Sequence, residues 1–265
     1  MGEDVETRTQ GLDDLSAQWT ALKVRRNVSQ WRRIGTSQEV LRVISGGVKV
    51  RFDGVPRTQQ FSGSFLKSET QRKEWREIRK DYLEKGAISI VDNPDKSAHV
   101  SRSFLVPKKN EFGNRTGQRL IIDLRPLNAQ VLPYPVHYED LRSLPHMLRQ
   151  NDFLIKFDLK DAFFHVGIHP DHKKFFQFEV DGERFQCEVL PFGFRGSPKI
   201  YCDLIKNLVR FLRNPGMIKE MKKEGTDDFL YEYWKRYRNE KRVRLTWYLD
   251  DFLCKDTRIQ GLQVA

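Results

Sequence analysis

Between Phe176 and Val189 the chain alternates with a period of two. Phe176, Phe178 and Val180 come first, then Asp181-Gly182, then Phe185, Cys187 and Val189. Alternation on both sides of an Asp-Gly pair specifies an antiparallel hairpin closed by a type I′ turn, with one face apolar. A two-stranded hairpin is not stable alone in water, so further strands or helices must cover that face. The sequence supplies them. Ser68 with Gln71 three residues on forms a capping box, Trp75, Ile78 and Tyr82 follow the helical period, and Gly86 gives the stop, predicting a helix over 68–85. Two strands are predicted at 100–107 and 118–124, flanking the polar tip 108–117. Val48, Val50 and Phe52 alternate as a short strand, and Phe153–Phe157 reads as a buried strand ending at Asp158. Ser197-Pro198 caps a helix with the face Tyr201, Leu204, Ile205, Leu208, Phe211 and Leu212, ending at Asn214-Pro215-Gly216. Residues 217–241 read as a charged helical insertion, and residues 1–14 as a frayed acidic and polar start. Val243, Leu245 and Trp247 enter a last hairpin, which Phe252 and Cys254 leave. Helices mixed with antiparallel hairpins define an α+β fold, not a βαβ alternation.

That last hairpin carries Asp250 and Asp251 side by side at its bend. Together with Asp158, two adjacent carboxylates between apolar runs are costly to hold unless a cation neutralises them. Three acids on strand ends suit a pair of Mg²⁺ ions, and hence phosphoryl or nucleotidyl transfer. The solvated-turn alternative is three ordinary surface acids.

Charge points to a polyanionic partner. The net charge is +11 over 265 residues and the isoelectric point about 9.5. Lys23, Arg25, Arg26, Arg32 and Arg33 lie between Trp19 and Trp31 or just beyond, with no acid among them, and 235–244 holds six basic residues against Glu240 alone. Cations interleaved with aromatics suit single strands, although either stretch taken alone also reads as a solvated helix face. Cys187, Cys202 and Cys254 show neither metal spacing nor a disulfide framework, which fits a reducing compartment. His165, His169 and His172 lack a ligand pattern and read as structural. No signal peptide or bilayer-length apolar run is present, so the expected location is intracellular, cytoplasm or nucleus, away from membranes.

Five blocks then appear in order: SRSFLVPKK (101–109), RLIIDLRPLN (119–128), FDLKDAFFHVGIHPDHKKFFQF (157–178), LPFGFRGSP (190–198) and YLDDFL (248–253). With them, residues from about 68 to 256 resemble the fingers and palm of a reverse transcriptase, most closely those of DIRS-type (tyrosine-recombinase) retrotransposons. The resemblance implies an RNA-directed DNA polymerase domain of a retroelement, acting on an RNA or DNA template, a primer strand and dNTPs. It implies that Asp158, Asp250 and Asp251 are the catalytic carboxylates, holding two Mg²⁺ ions (or Mn²⁺) with a backbone carbonyl from Leu159. Lys108 and Arg119 match the fingers residues that grip the triphosphate, although without the motif they are ordinary hairpin-surface cations. Asp161 and Ala162 would lie along the triphosphate through backbone N–H groups. Phe163 matches the steric gate that excludes a 2′-hydroxyl, where an isolated phenylalanine would read as core. Phe192 and Gly193 fall in the segment beneath nucleotide and template, and Gly193 permits a close backbone approach. Arg125 either braces the fingers or touches template.

The implied organisation is a basic, partly irregular extension (1–66), a fingers-like segment (67–152) and a partial palm without thumb (153–265). Ala265 follows Asp251 by fourteen residues. The family's catalytic-lysine segment, primer grip, thumb and RNase H would come later. The expectation is therefore a C-terminally truncated domain, either a piece of a polyprotein or a domesticated copy. The competing readings are an inactive nucleic-acid-binding remnant and an RNA-directed RNA polymerase, the latter disfavoured by Phe163 and by Tyr-Leu before the Asp pair.

Overall fold

The computed structural model describes residues 22–61, 65–110, 112–139, 145, 148, 150, 153–213, 244–249 and 251–256. Residues 1–14, Asn214–Gly216, the 217–241 insertion, nearly all of the 235–244 cluster and Asp250 lie outside them. Helices α1 (Lys23–Arg26), α2 (Val28–Arg33), α3 (Gln38–Gly46) and α4 (Glu69–Glu84) precede strands β1 (Ile88–Ile90), β2 (Val100–Lys109) and β3 (Arg115–Asp123). The short α5 (Arg125–Asn128), β4 (Phe153–Asp158), β5 (Gln177–Val180), β6 (Glu183–Cys187), α6 (Ser197–Arg213), β7 (Arg244–Tyr248) and β8 (Asp251–Asp256) follow. The fold is α+β with mostly antiparallel sheets. The chain forms two compact units, each discontinuous in sequence: 1–26, 46–132 and 164–194 in the first, 27–45, 133–163 and 195–265 in the second.

In the first unit a five-stranded sheet runs β1-β6-β5-β2-β3, antiparallel except for β2 beside β5. The Asp-Gly hairpin is its centre. Val180 pairs with Glu183, and Asp181 (φ 52°) and Gly182 (φ 82°) form the turn. Phe176, Phe178, Val180, Phe185, Cys187 and Val189 are all buried. Helix α4 covers this face. Trp75 meets Phe185 edge-on at 5.5 Å, and Arg79 donates through Nε and an Nη to both oxygens of Glu183. Ser68 caps α4 by accepting from Gln71 N at 3.2 Å, and Gln71 reciprocates one residue earlier than a capping box requires, accepting from Lys67 N. The strand expected at Val48–Phe52 is not a strand. Val48 bridges Ile168 and Phe52 bridges Val131, while Val50 N donates to His172 Nδ1, so three partners divide a segment that one ladder would have held.

In the second unit β8 lies between β4 and β7, all antiparallel. Trp247 and Phe252 pair across the sheet and are buried on one face. Helix α6 begins at Ser197, so the serine expected as cap is itself the first helical residue, with Pro198 second. Its buried face holds Tyr201, Leu204 and Ile205 as predicted, joined by Cys202, Asn207 and Val209, whereas Leu208, Phe211 and Leu212 are only half-buried. Cys187 and Cys202 are buried and free of any disulfide. No helix among the described residues is long and apolar enough to cross a membrane.

Candidate active site

Strand register places Tyr248, Asp251 and Asp158 in one row across β7, β8 and β4. Because side chains alternate along a strand, this row lies on the face opposite Trp247 and Phe252. Asp158 is exposed and the Asp251 side chain is 49% exposed. Directly opposed residues of an antiparallel pair stand about 5 Å apart at Cβ, and like charges there are destabilising. The chain offsets this with Lys156, diagonal to Asp251 and on the same face, whose Nζ lies 3.0 Å from Asp251 Oδ1. The sequence signal for Lys156 was its position two residues before Asp158 in a strand.

Tyr248 of β7 pairs with Asp251 of β8, and Leu249 begins the link between them. Leu249 has φ 54°. That conformation costs a branched, non-glycine residue roughly 1–2 kcal/mol. Strain of this kind persists only where surrounding structure imposes it, commonly at functional sites. Glu139 supplies part of that frame, a role that sequence reasoning missed. Its carboxylate accepts from both Arg213 Nη groups at 2.7 Å and from Thr246 Oγ1 of β7 at 2.9 Å, and Tyr138 lies 4.9 Å from Tyr248 ring to ring. Burial pushes the Glu139 carboxyl up, but the Arg213 fork, the Thr246 hydroxyl and the Trp247 backbone N–H together bring it below the ordinary glutamate range.

Residues 159–163 follow β4. Asp161 has φ 53° and enters a single 3₁₀ turn, Ala162–His165. Ala162 is buried, and half-buried Phe163 meets Tyr201 of α6 edge-on at 5.6 Å. Phe164, next in sequence, is buried in a different cluster with Ala87 and Val189. The two neighbouring phenylalanines are thus distinct, and only Phe164 is plain core.

In the first unit, Lys108 and Arg119 sit on one face of the β2–β3 hairpin. Arg119 opposes Val106 and Lys108 opposes Gly117, so the two cations are diagonal neighbours, both exposed. Arg125 is held in place by its neighbour while its side chain stays exposed. It donates through Nε and Nη2 to both oxygens of Asp123, holding that carboxyl at about 2. Phe192 is 55% exposed and lies 6.0 Å from Phe164 ring to ring. Gly193 has φ 88°, and a Cβ there would meet only Ile122 O at 3.9 Å, an ordinary contact. Backbone conformation, not crowding by protein atoms, therefore requires this glycine. Its carbonyl accepts from Asn128 Nδ2 at 2.8 Å, tying the RPLN block to the LPFG block. His169 caps the 3₁₀ turn Pro170–Phe175, and His172 accepts from Val50 N, so both have structural partners. Among the described residues no three metal-ligating side chains gather. Asp158 and Asp251 nevertheless fit a cation, since Asp251 already draws the Lys156 ammonium to itself.

Residues 106–263, more than half of the 265, match the family described as reverse transcriptase (RNA-dependent DNA polymerase). The chain belongs to that family. It is 32% identical over 147 residues to a polyprotein of Cassava vein mosaic virus, covering 55% of this chain and 22% of that protein. It is 31% identical over 196 residues to the Gag-Pol polyprotein of Bovine immunodeficiency virus (strain R29), covering 70% of this chain and 12% of the relative. A further relative, the enzymatic polyprotein of Figwort mosaic virus (strain DxS), is 29% identical over 123 residues, 46% of this chain and 18% of its own length. The chain thus spans less than a quarter of these relatives.

Proposed function

We propose that this chain is the fingers and palm of an RNA-directed DNA polymerase from a retroelement of the DIRS type. The β2–β3 hairpin with α4 is the fingers and the β4-β8-β7 sheet is the palm. The single observation that carries the reading is the in-register opposition of Asp158 and Asp251 beside a strained two-residue turn, within a chain of this family. Asp158, Asp250 and Asp251, with the Leu159 carbonyl, would hold two divalent ions. When bound, such ions supply Lewis-acid activation of a primer 3′-hydroxyl and neutralise charge on the leaving pyrophosphate. Lys108 and Arg119 bind phosphate oxygens of the incoming nucleotide, the arginine through its fork and the lysine as a point charge. Backbone N–H groups of Asp161 and Ala162 orient the same phosphates. Phe163, backed by Tyr201, presents a fixed ring to the sugar and excludes a 2′-hydroxyl. Phe192 stacks beneath the base pair while Gly193 holds the turn there. The partners are an RNA or DNA template, a primer and dNTPs, and the location is intracellular.

Primer extension on an RNA template tests the reading, with Asp251→Asn as control. Wild type is expected to incorporate dNTPs in Mg²⁺ and the variant to fail. If wild type binds primer–template but never extends it, the binding-remnant reading replaces the polymerase. Phe163→Ala should lower the preference for dNTP over rNTP by roughly tenfold or more, since the gate works by exclusion. An unchanged preference removes Phe163 from that role.

A further inference from the structure

The tip of the β2–β3 hairpin holds a side chain that nucleotidyl transfer does not use. Phe112 is 86% exposed, which an apolar ring of this size does not favour in water. Its backbone is fixed. Asn110 Oδ1 accepts from Phe112 N at 3.1 Å and from Asn114 N at 2.9 Å, Asn110 N donates to Asn114 O, and Gly113 N donates to Asn110 O at φ 79°. The hairpin is braced beside its tip, where Arg115 Nη2 pairs with Glu74 of α4 at 2.6 Å. The ring therefore projects from a defined support and needs only two side-chain torsions to be ordered.

What lies next to it selects the occupant. Lys108, Lys109 and Arg119 are exposed on the same hairpin, and none of them pairs with a carboxylate among the described residues. Phe104, 43% exposed, shares the Lys108 face of β2 two positions beyond Val106. Rings alternating with exposed cations fit a strand whose bases are unstacked and whose phosphates are regularly spaced. Duplex DNA, with its bases already stacked, offers nothing to Phe112. A lipid surface would want several apolar side chains at the tip, and Phe112 is the only large one between Asn110 and Arg115.

The geometry points to Phe112 as a stacking platform for an unpaired base of a nucleic-acid strand, whose phosphates lie against Lys109. This assignment rests on the nucleic-acid-binding part of the proposed function but not on catalysis. The test uses the full chain without dNTPs or divalent metal. Fluorescence anisotropy compares a labelled blunt duplex with the same duplex bearing an unpaired 5′ overhang. Phe112→Ala should weaken overhang binding roughly tenfold and blunt-duplex binding by about twofold at most, while Phe112→Trp retains the overhang preference. Lys109→Ala should weaken binding of the overhang and reduce its salt dependence. Because Phe112 is so exposed, its replacement does not disturb folding. Equal affinity of Phe112→Ala and wild type for the overhang, or equal losses on both substrates, overturns the stacking role and leaves the polymerase reading intact. A wild-type chain that binds neither substrate overturns both.

Discussion

Two hairpins in this molecule close through two-residue loops, and they obey opposite rules. Between β5 and β6 the loop is Asp181-Gly182, both at positive φ, flanked by buried phenylalanines. Between β7 and β8 it is Leu249-Asp250, with the leucine at φ 54°. The first turn is made of residues that adopt its geometry without strain. In the second, a residue suited to a strand is forced into a left-handed conformation next to the carboxylates. Local preference and global fold agree where the chain only has to fold, and they disagree where it has to hold charge.

The largest expected effect breaks the second hairpin's chemistry without touching its shape. Asp251→Asn should lower primer extension by about 10²–10³-fold, read by single-turnover kinetics, with stability within about 1 kcal/mol of wild type because relief of the opposed like charges offsets loss of the exposed Lys156 pair. Next, Gly182→Val attacks the first hairpin. A Cβ there meets nothing within 4 Å, so the penalty is conformational alone, about 1–2 kcal/mol in denaturant unfolding, with extension per folded molecule unchanged. Leu249→Gly sharpens the contrast. Relief of strain should leave stability within about 1 kcal/mol of wild type, since glycine's extra chain entropy offsets it, while extension falls about fivefold as the acids lose their fixed support. If Leu249→Gly extends as fast as wild type, the strain has no part in placing the acids. The smallest effect concerns the frame around the second hairpin. The Glu139 carboxyl is depressed in the folded state, so its contribution is present above the unfolded glutamate value and is lost as pH falls below it. Glu139→Gln should therefore lower stability slightly near neutrality and flatten its fall below about pH 4.5, the ordinary glutamate value.

Much of this was legible beforehand, for stateable reasons. Period-two alternation located β5 and β6 because Phe178, Val180, Phe185 and Cys187 share one buried face, and an apolar run ending at Asp158 located β4. The cap at Ser68 located α4 because its first N–H groups need an acceptor. The row Tyr248–Asp251–Asp158 needed strand register, which no local pattern contains. Lys156 was visible only as a cation in a strand, and its partner emerged once β4 and β8 were paired. Glu139 and Arg213 are far apart in sequence, and nothing in either neighbourhood names the other. Val48–Phe52 misled because alternation reports which side chains are buried, and here burial came from three unrelated partners. Gly193 was correctly singled out, but its protein-side cause is a φ of 88°, a property of the turn.

The strand order of the five-stranded sheet also bears on how the chain is made. Ile88 of β1 pairs with Cys187 of β6, ninety-nine positions later, and Val100 of β2 meets Gln177 of β5, seventy-seven positions later. Only β2–β3 and β5–β6 join neighbours in the chain. A ribosome releases β1 and β2 long before their partners exist, so the inner edge of β2 stays open to other chains until the Asp-Gly hairpin has been translated. That hairpin is therefore the late keystone of the first unit. Non-local closure of this kind slows folding, and a transcript that stops short of residue 185 leaves a polypeptide with β1 lacking its partner strand.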